Sequence, residues 1–245
     1  VVIRFLLNLL ILFSSSNGKI YGTKIGISKN YTLLSSKIFN TNMIRPIYLQ
    51  PGDKVALVAP AGVPSHKEAD GISKLLEAWG LVPSPGEHIF AEAKHTQRLS
   101  DWQSALDDED TRAIWCMNGR YGSLHIVEEA DYSTFQGNPK WIIGMDDITV
   151  IHAKLYSLGI ESLYAFTPDM RAGMTPEAIA QVRNILFGMA SDYALPHSRH
   201  NRFGLAEGEL TGGNLGWVHS LQATRFAHHT RGTILFVEDS TNDLD

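Results

Sequence analysis

The sequence is short of cysteine, of basic clusters and of long apolar runs. Cys116 is the single cysteine among 245 residues. No intramolecular disulfide can form, so the fold rests on packing, and the composition suits a reducing compartment without establishing one. Lys and Arg number 21 against 26 Asp and Glu, a formal charge of −5. With no block of basic residues, binding of nucleic acid through a basic face is not expected. A G-x-G-x-x-G opening after the first strand is missing, which argues against dinucleotide binding. The ten histidines show no metal-ligand spacing, and the adjacent His228 and His229 would face different ways on a helix or strand. What is present is ordinary globular composition, 44% hydrophobic with 21 Gly and 10 Pro. The length allows one large domain or two small ones and a substantial core.

The first forty-odd residues read differently from the rest. FLLNLLILF (5–13), behind Arg4, is too short to span a bilayer as a helix and has the size of a signal-peptide apolar region. Yet the chain opens on Val, and 20–42 is polar and rich in Asn, Ser and Lys. Three origins stay open for 1–42: upstream sequence or a fusion scar, an export signal with a spacer, or a structured extension. The fold argument therefore starts at Met43.

From there, apolar β-branched runs alternate with helical patterns. KVALVA (54–59), AIWCM (113–117), WIIGM (141–145) and TILFVED (233–239) read as strands. Ser65 is expected to cap a helix running to Trp79, stopped by Gly80; Thr96 to cap QRLSDWQSAL; and Thr175, before Pro176, to cap a helix ending at Gly188. Helices are also expected from Ser123, over 147–158 and near 214–223. This alternation predicts an α/β fold with a parallel sheet. Residues 189–206 lack any period and read as a linker. The expected organisation is a Rossmann-like N-terminal domain over 43–188 and the start of an incomplete C-terminal α/β domain over 207–245.

In such sheets, sites form beyond the carboxyl ends of the strands. Three ends stand out. The turn Gly119 to Gly122 lets backbone approach a ligand, or is simply a tight connection. Gly144-Met145-Asp146-Asp147 is a sharp strand-to-helix elbow that suits a nucleophile or an anion, although Asp146 and Asp147 also fit as N-cap and first-turn acids. Glu238-Asp239 ends the last strand, where a carboxylate could orient a histidine. His152, on a helix with apolar neighbours, reads as a core or edge histidine.

The blocks VAPAG (58–62), CMNGRYGS (116–123), IIGMDDITVIH (142–152), GIESL (159–163), ILFG (185–188), AEGELTGGNL (206–215) and TILFVED (233–239) stand in an order and spacing that resemble the LD-carboxypeptidases. These are serine peptidases that trim muropeptides and include microcin-immunity carboxypeptidases. The resemblance spans 43–239 and makes Met43 look like a family N-terminus. It implies a Ser–Glu–His triad, an acyl-enzyme route on the terminal L,D-peptide bond of peptidoglycan tetrapeptides, no metal or organic cofactor, a cytoplasmic location and a homodimer. An export role for 1–42 is the alternative on location. Carried onto this chain, Glu238 is the triad acid, and the oxyanion donors come from Gly119, Gly122 and Asp147.

The departures bear on activity. Asp146 stands where the family has its serine, and Arg120 where a glycine is expected. The family's histidine comes from a later segment, without a counterpart before Asp245. The resemblance thus implies a carboxypeptidase-family chain that is inactive as written, or a pseudoenzyme that binds muropeptides without cleaving them.

Overall fold

The computed structural model describes residues 21–27, 31–38, 43–90, 93–119, 121–168, 174–189, 193–196 and 204–239; residues 21–38, 193–196 and 204–207 enter through their backbone alone. The apolar run 5–13 and Arg120 lie outside the described residues.

Ten strands and seven α-helices alternate along the described chain. β1 (Tyr21–Ile27) and β2 (Tyr31–Ile38) form a hairpin. Then come β3 (Lys54–Val58), α1 (His66–Ala78), β4 (Val82–Pro85), α2 (His95–Asp107) and β5 (Thr111–Cys116). They are followed by α3 (Ser123–Glu129), α4 (Ser133–Gly137), β6 (Trp141–Gly144), α5 (Thr149–Ser157) and β7 (Leu163–Tyr164). The last are α6 (Pro176–Leu186), β8 (Tyr193–Pro196), β9 (Gly204–Asn214), α7 (Leu215–Ser220) and β10 (Thr233–Glu238).

One sheet, in the order β4-β3-β5-β6-β7, is parallel throughout. Its inner strands β3, β5 and β6 read as apolar runs because helices cover both faces. Along β3, Val55 and Leu57 join a core shared with Leu76, Trp79, Trp115, Trp141 and Val182, under α1 and α6. Ala56 and Val58 point the other way, to Trp102, Leu106, Ile114, Phe135 and Ile151, under α2, α4 and α5. The strand's period of two therefore divides one short segment between two cores. The Ser65 and Thr175 caps form as expected: Ser65 Oγ accepts from Glu68 N at 3.2 Å, Glu68 returns the bond to Ser65 N at 2.6 Å, and Thr175 Oγ1 accepts from Ala178 N at 3.2 Å. The Thr96 cap does not form. The helix opens two residues earlier, at His95 with Lys94 as its N-cap, and Gln97 Oε1 accepts from Lys94 N at 2.9 Å.

The second sheet has the order β10-β9-β1-β2-β8. β10 runs parallel to β9, while β1 lies antiparallel to β9 over Thr23–Ile27 against Gly208–Gly204. Within 189–206, Tyr193–Pro196 forms β8 and β9 opens at Gly204. The two sheets meet through α5, whose Thr149 packs against β9 so closely that a Cβ on Gly213 would lie 2.5 Å from Thr149 Oγ1. Below them, the Arg45 guanidinium forks onto the buried Glu161 carboxylate at 2.5 and 2.8 Å. Among the described residues, no helix is long and apolar enough to cross a membrane.

Candidate active site

The parallel strands end at one rim of the sheet, and there the elbow forms. β6 stops at Gly144, Met145 is extended, and Asp146–Ile148 make a turn of 3-10 helix before α5 begins. Asp146 carries φ of +59°, the only positive φ of a non-glycine residue among the described residues. That backbone is uncommon for any side chain but glycine and is characteristic of strained, functional turns. It lifts the residue out of the sheet at the head of a helix, the placement expected of a nucleophile elbow. Gly144 makes the turn possible: a Cβ there would sit 2.9 Å from Ile148 Cγ1 and 3.1 Å from Cys116 Cβ.

The turn after β5 closes on the elbow. A Cβ on Gly119 would fall 2.3 Å from Met145 O and 2.9 Å from Asp146 Cβ, so only glycine lets the two backbones meet. Gly122, at φ of +130°, starts α3 beside Pro60 O. The structure thus brings Gly119 and Asp146 together, with Gly122 one turn behind.

Asp147 has a different role from the expected acid at the start of its own helix. Its side chain is fully buried, and Oδ2 accepts from Ser123 N, the first amide of α3, at 3.0 Å. It caps a neighbouring helix and ties the Gly119–Gly122 turn to the elbow. Burial pushes its carboxyl above the usual range, against the pull of the Ser123 hydrogen bond.

Glu238, at the end of β10, reaches the elbow through Tyr164. The Tyr164 hydroxyl donates to Glu238 Oε1 at 2.6 Å and accepts from Asp146 N at 3.0 Å. Asn214 Nδ2 donates to the same carboxylate oxygen at 3.2 Å, while Asn214 Oδ1 caps α7 at Trp217 N and Asn214 N donates to Thr149 Oγ1. Burial, the adjacent Glu238 charge and the bond to it hold the Tyr164 phenol well above its ordinary range. The expected pair of acids, Asp146 and Glu238, is therefore joined by a tyrosine. Sequence reading missed Tyr164 because β7 is two residues long and carries no strand pattern. Asn214 was visible only as part of a glycine-flanked block.

His152 is a core histidine, as expected. It is 7% exposed; Nε2–H donates to Gly144 O at 3.0 Å, and Nδ1 accepts from Ser162 Oγ at 2.7 Å. Both nitrogens are spent on holding the end of β6. Burial lowers its pKa to about 4, so the ring is neutral at pH 7. Among the described residues, no group of three or more His, Cys, Asp or Glu is placed to hold a metal ion.

Comparison with known proteins identifies the family. Residues 55–165 match the LD-carboxypeptidase N-terminal domain, and 207–245 match the LD-carboxypeptidase C-terminal domain. The chain is 30% identical to a probable murein peptide carboxypeptidase of Bacillus subtilis, covering 82% of this chain and 66% of that protein. It is 28% identical to the murein tetrapeptide carboxypeptidase of Pseudomonas aeruginosa, covering 78% and 67%. It thus spans about two thirds of the length of these relatives. The fold is shared with an MccF-like protein from Bacillus anthracis, at a TM-score of 0.67 and 20% identity over 80% of this chain and 70% of that one. A muramoyltetrapeptide carboxypeptidase from Oxalobacter formigenes gives a TM-score of 0.65 at 22% identity, over 76% and 65%. With both domain models matched in order across more than half of its residues, the chain belongs to the LD-carboxypeptidase family.

Proposed function

We propose that this chain recognises murein-derived peptides ending in an L,D-peptide bond, and that it does not turn them over by the serine route. The observation that carries the reading is Asp146 at the elbow, with φ of +59°. The conformation and surroundings fit a nucleophile position: Gly119 packed on it, Asp147 fixing the turn, and Glu238 bonded through Tyr164. The side chain is the wrong one for acyl transfer. A serine hydroxyl attacks an amide carbonyl after losing its proton to a base, and gives an ester. A carboxylate attacking the same carbonyl would give a mixed anhydride and would have to expel a poor amine leaving group. Loss of a triad member costs roughly 10⁴–10⁶-fold in rate in serine hydrolases. Backbone N–H groups around Gly119, Gly122 and Asp147 are the donors for the substrate carbonyl in this reading, and peptide binding does not depend on the hydroxyl.

The test measures binding and turnover separately. Murein tetrapeptide is titrated into the chain by calorimetry, and release of its terminal D-amino acid is followed by mass spectrometry beside the Pseudomonas aeruginosa relative. Binding with release slower by about 10⁴-fold or more is expected. Release at a rate comparable to the relative's overturns the reading of Asp146, and absence of binding overturns the assignment of ligand.

A further inference from the structure

Beside Tyr164, residues of α5, β7, β9 and β10 leave a half-enclosed cavity of about 70 Å³. A single water needs roughly 10–15 Å³ on a comparable measure, so the space admits several heavy atoms. Three aromatic rings line it, those of Tyr156, Tyr164 and Phe236, with Tyr164 and Phe236 set edge to face at 5.7 Å between centroids.

Two polar groups in the lining have unused capacity. His228 is 6% exposed; its Nδ1 lies 2.8 Å from Thr211 Oγ1, while its Nε2 is buried with no partner among the described residues. With the proton on Nδ1 donated to Thr211, the Nε2 lone pair is an acceptor. Burial disfavours the charged ring and keeps that lone pair available. Glu209 accepts one hydrogen bond, from the Tyr156 hydroxyl at 3.0 Å, and no cation pairs with it among the described residues. The other acid of the lining, Glu161, is neutralised by Arg45.

An unpaired carboxylate, a neutral imidazole acceptor and a set of aromatic rings around a small apolar space are the elements that recognise an organic ammonium. Ring faces attract the cation, the carboxylate compensates its charge, and the acceptors take its N–H bonds. A neutral alcohol would leave Glu209 uncompensated, and an anion would be repelled by it. We propose that this cavity is a binding site for a small primary alkylammonium, held by Glu209 and His228 Nε2 with its carbon body against Tyr156, Tyr164 and Phe236. The site adjoins the elbow through two of its lining residues: Tyr164, whose hydroxyl faces Asp146 N and Glu238, and His152, which bonds Gly144 O.

The probe is isopropylammonium chloride, with isopropanol and sodium chloride at matched concentration as controls. Thermal unfolding of the wild-type chain is followed as each is titrated. A saturable rise in Tm with isopropylammonium, at millimolar concentrations and absent with both controls, is expected. Glu209→Gln should weaken the apparent affinity at least tenfold, and Phe236→Leu should weaken it while leaving the charge dependence intact. An equal response to isopropanol would show an apolar void without ammonium selectivity and overturns the proposal. So does the lack of any response to isopropylammonium, or an unchanged affinity in Glu209→Gln. None of these outcomes depends on peptide binding or turnover at the elbow.

Discussion

Replacing Tyr164 by Phe removes one oxygen atom and leaves the ring in place, so its effect isolates the hydrogen bonds across the site. Two bonds disappear. The bond to Glu238 Oε1 at 2.6 Å has a charged acceptor, a type that contributes about 1.5–3 kcal/mol. The bond from Asp146 N at 3.0 Å is a backbone donor losing its phenolic partner, at about 1–3 kcal/mol. Glu238 keeps Asn214 Nδ2 at 3.2 Å, which limits the first loss. A total near 3 kcal/mol follows, and for a chain of this size it lowers Tm by about 6–12 °C. Urea unfolding of wild type, Tyr164→Phe, Glu238→Gln and the double variant forms a cycle that measures the Tyr164–Glu238 coupling directly. A coupling of at least about 1 kcal/mol is expected. If Tyr164→Phe changes stability by less than about 0.5 kcal/mol, or the two substitutions add independently, the tyrosine does not tie the elbow to β10.

Two further outcomes follow from the same geometry. His152 binds a proton near pH 6.5 when unfolded but only near pH 4 when folded, so the unfolded state takes up more protons between those values. The contribution of the neutral ring is therefore full above about pH 7 and falls by about 3 kcal/mol as the pH drops to 4, with His228 lowered in the same direction. Urea midpoints across this range should show a shallower slope for His152→Gln, and an unchanged slope counts against the buried neutral ring. Gly119→Ala places a Cβ 2.3 Å from Met145 O and should cost about 1–3 kcal/mol by displacing the elbow, whereas Gly137→Ala, with nothing within 4 Å, should be near neutral in the same melt.

The middle of the parallel sheet was legible because β3, β5 and β6 are apolar runs closed by turn residues, and the caps at Ser65 and Thr175 because a hydroxyl precedes each helical period. β4 was not legible: VPSP carries two prolines and no apolar run, and it persists because it lies at the sheet edge, where a missing N–H is tolerated. The site was legible in its backbone and less so in its connections. Gly144, Asp146 and Gly119 announce an elbow through local spacing. That Asp147 caps α3, or that Tyr164 bridges β6 and β10, depends on contacts between segments 24 and 74 residues apart. No local period encodes such pairs. The Glu209–His228 cavity was invisible for the same reason, since its rings come from α5, β7 and β10.

Left-handed backbone is entered several-fold more readily by Asp and Asn than by most other residues bearing a Cβ. At the elbow the residue that faces a ligand is also the residue that holds the strained backbone. An aspartate at φ of +59° makes a smaller demand on the packing of Gly119 than most side chains bearing a Cβ would. Position 146 therefore couples two properties that most proteins set separately: the chemistry presented at the strand end and the conformational energy stored beneath it.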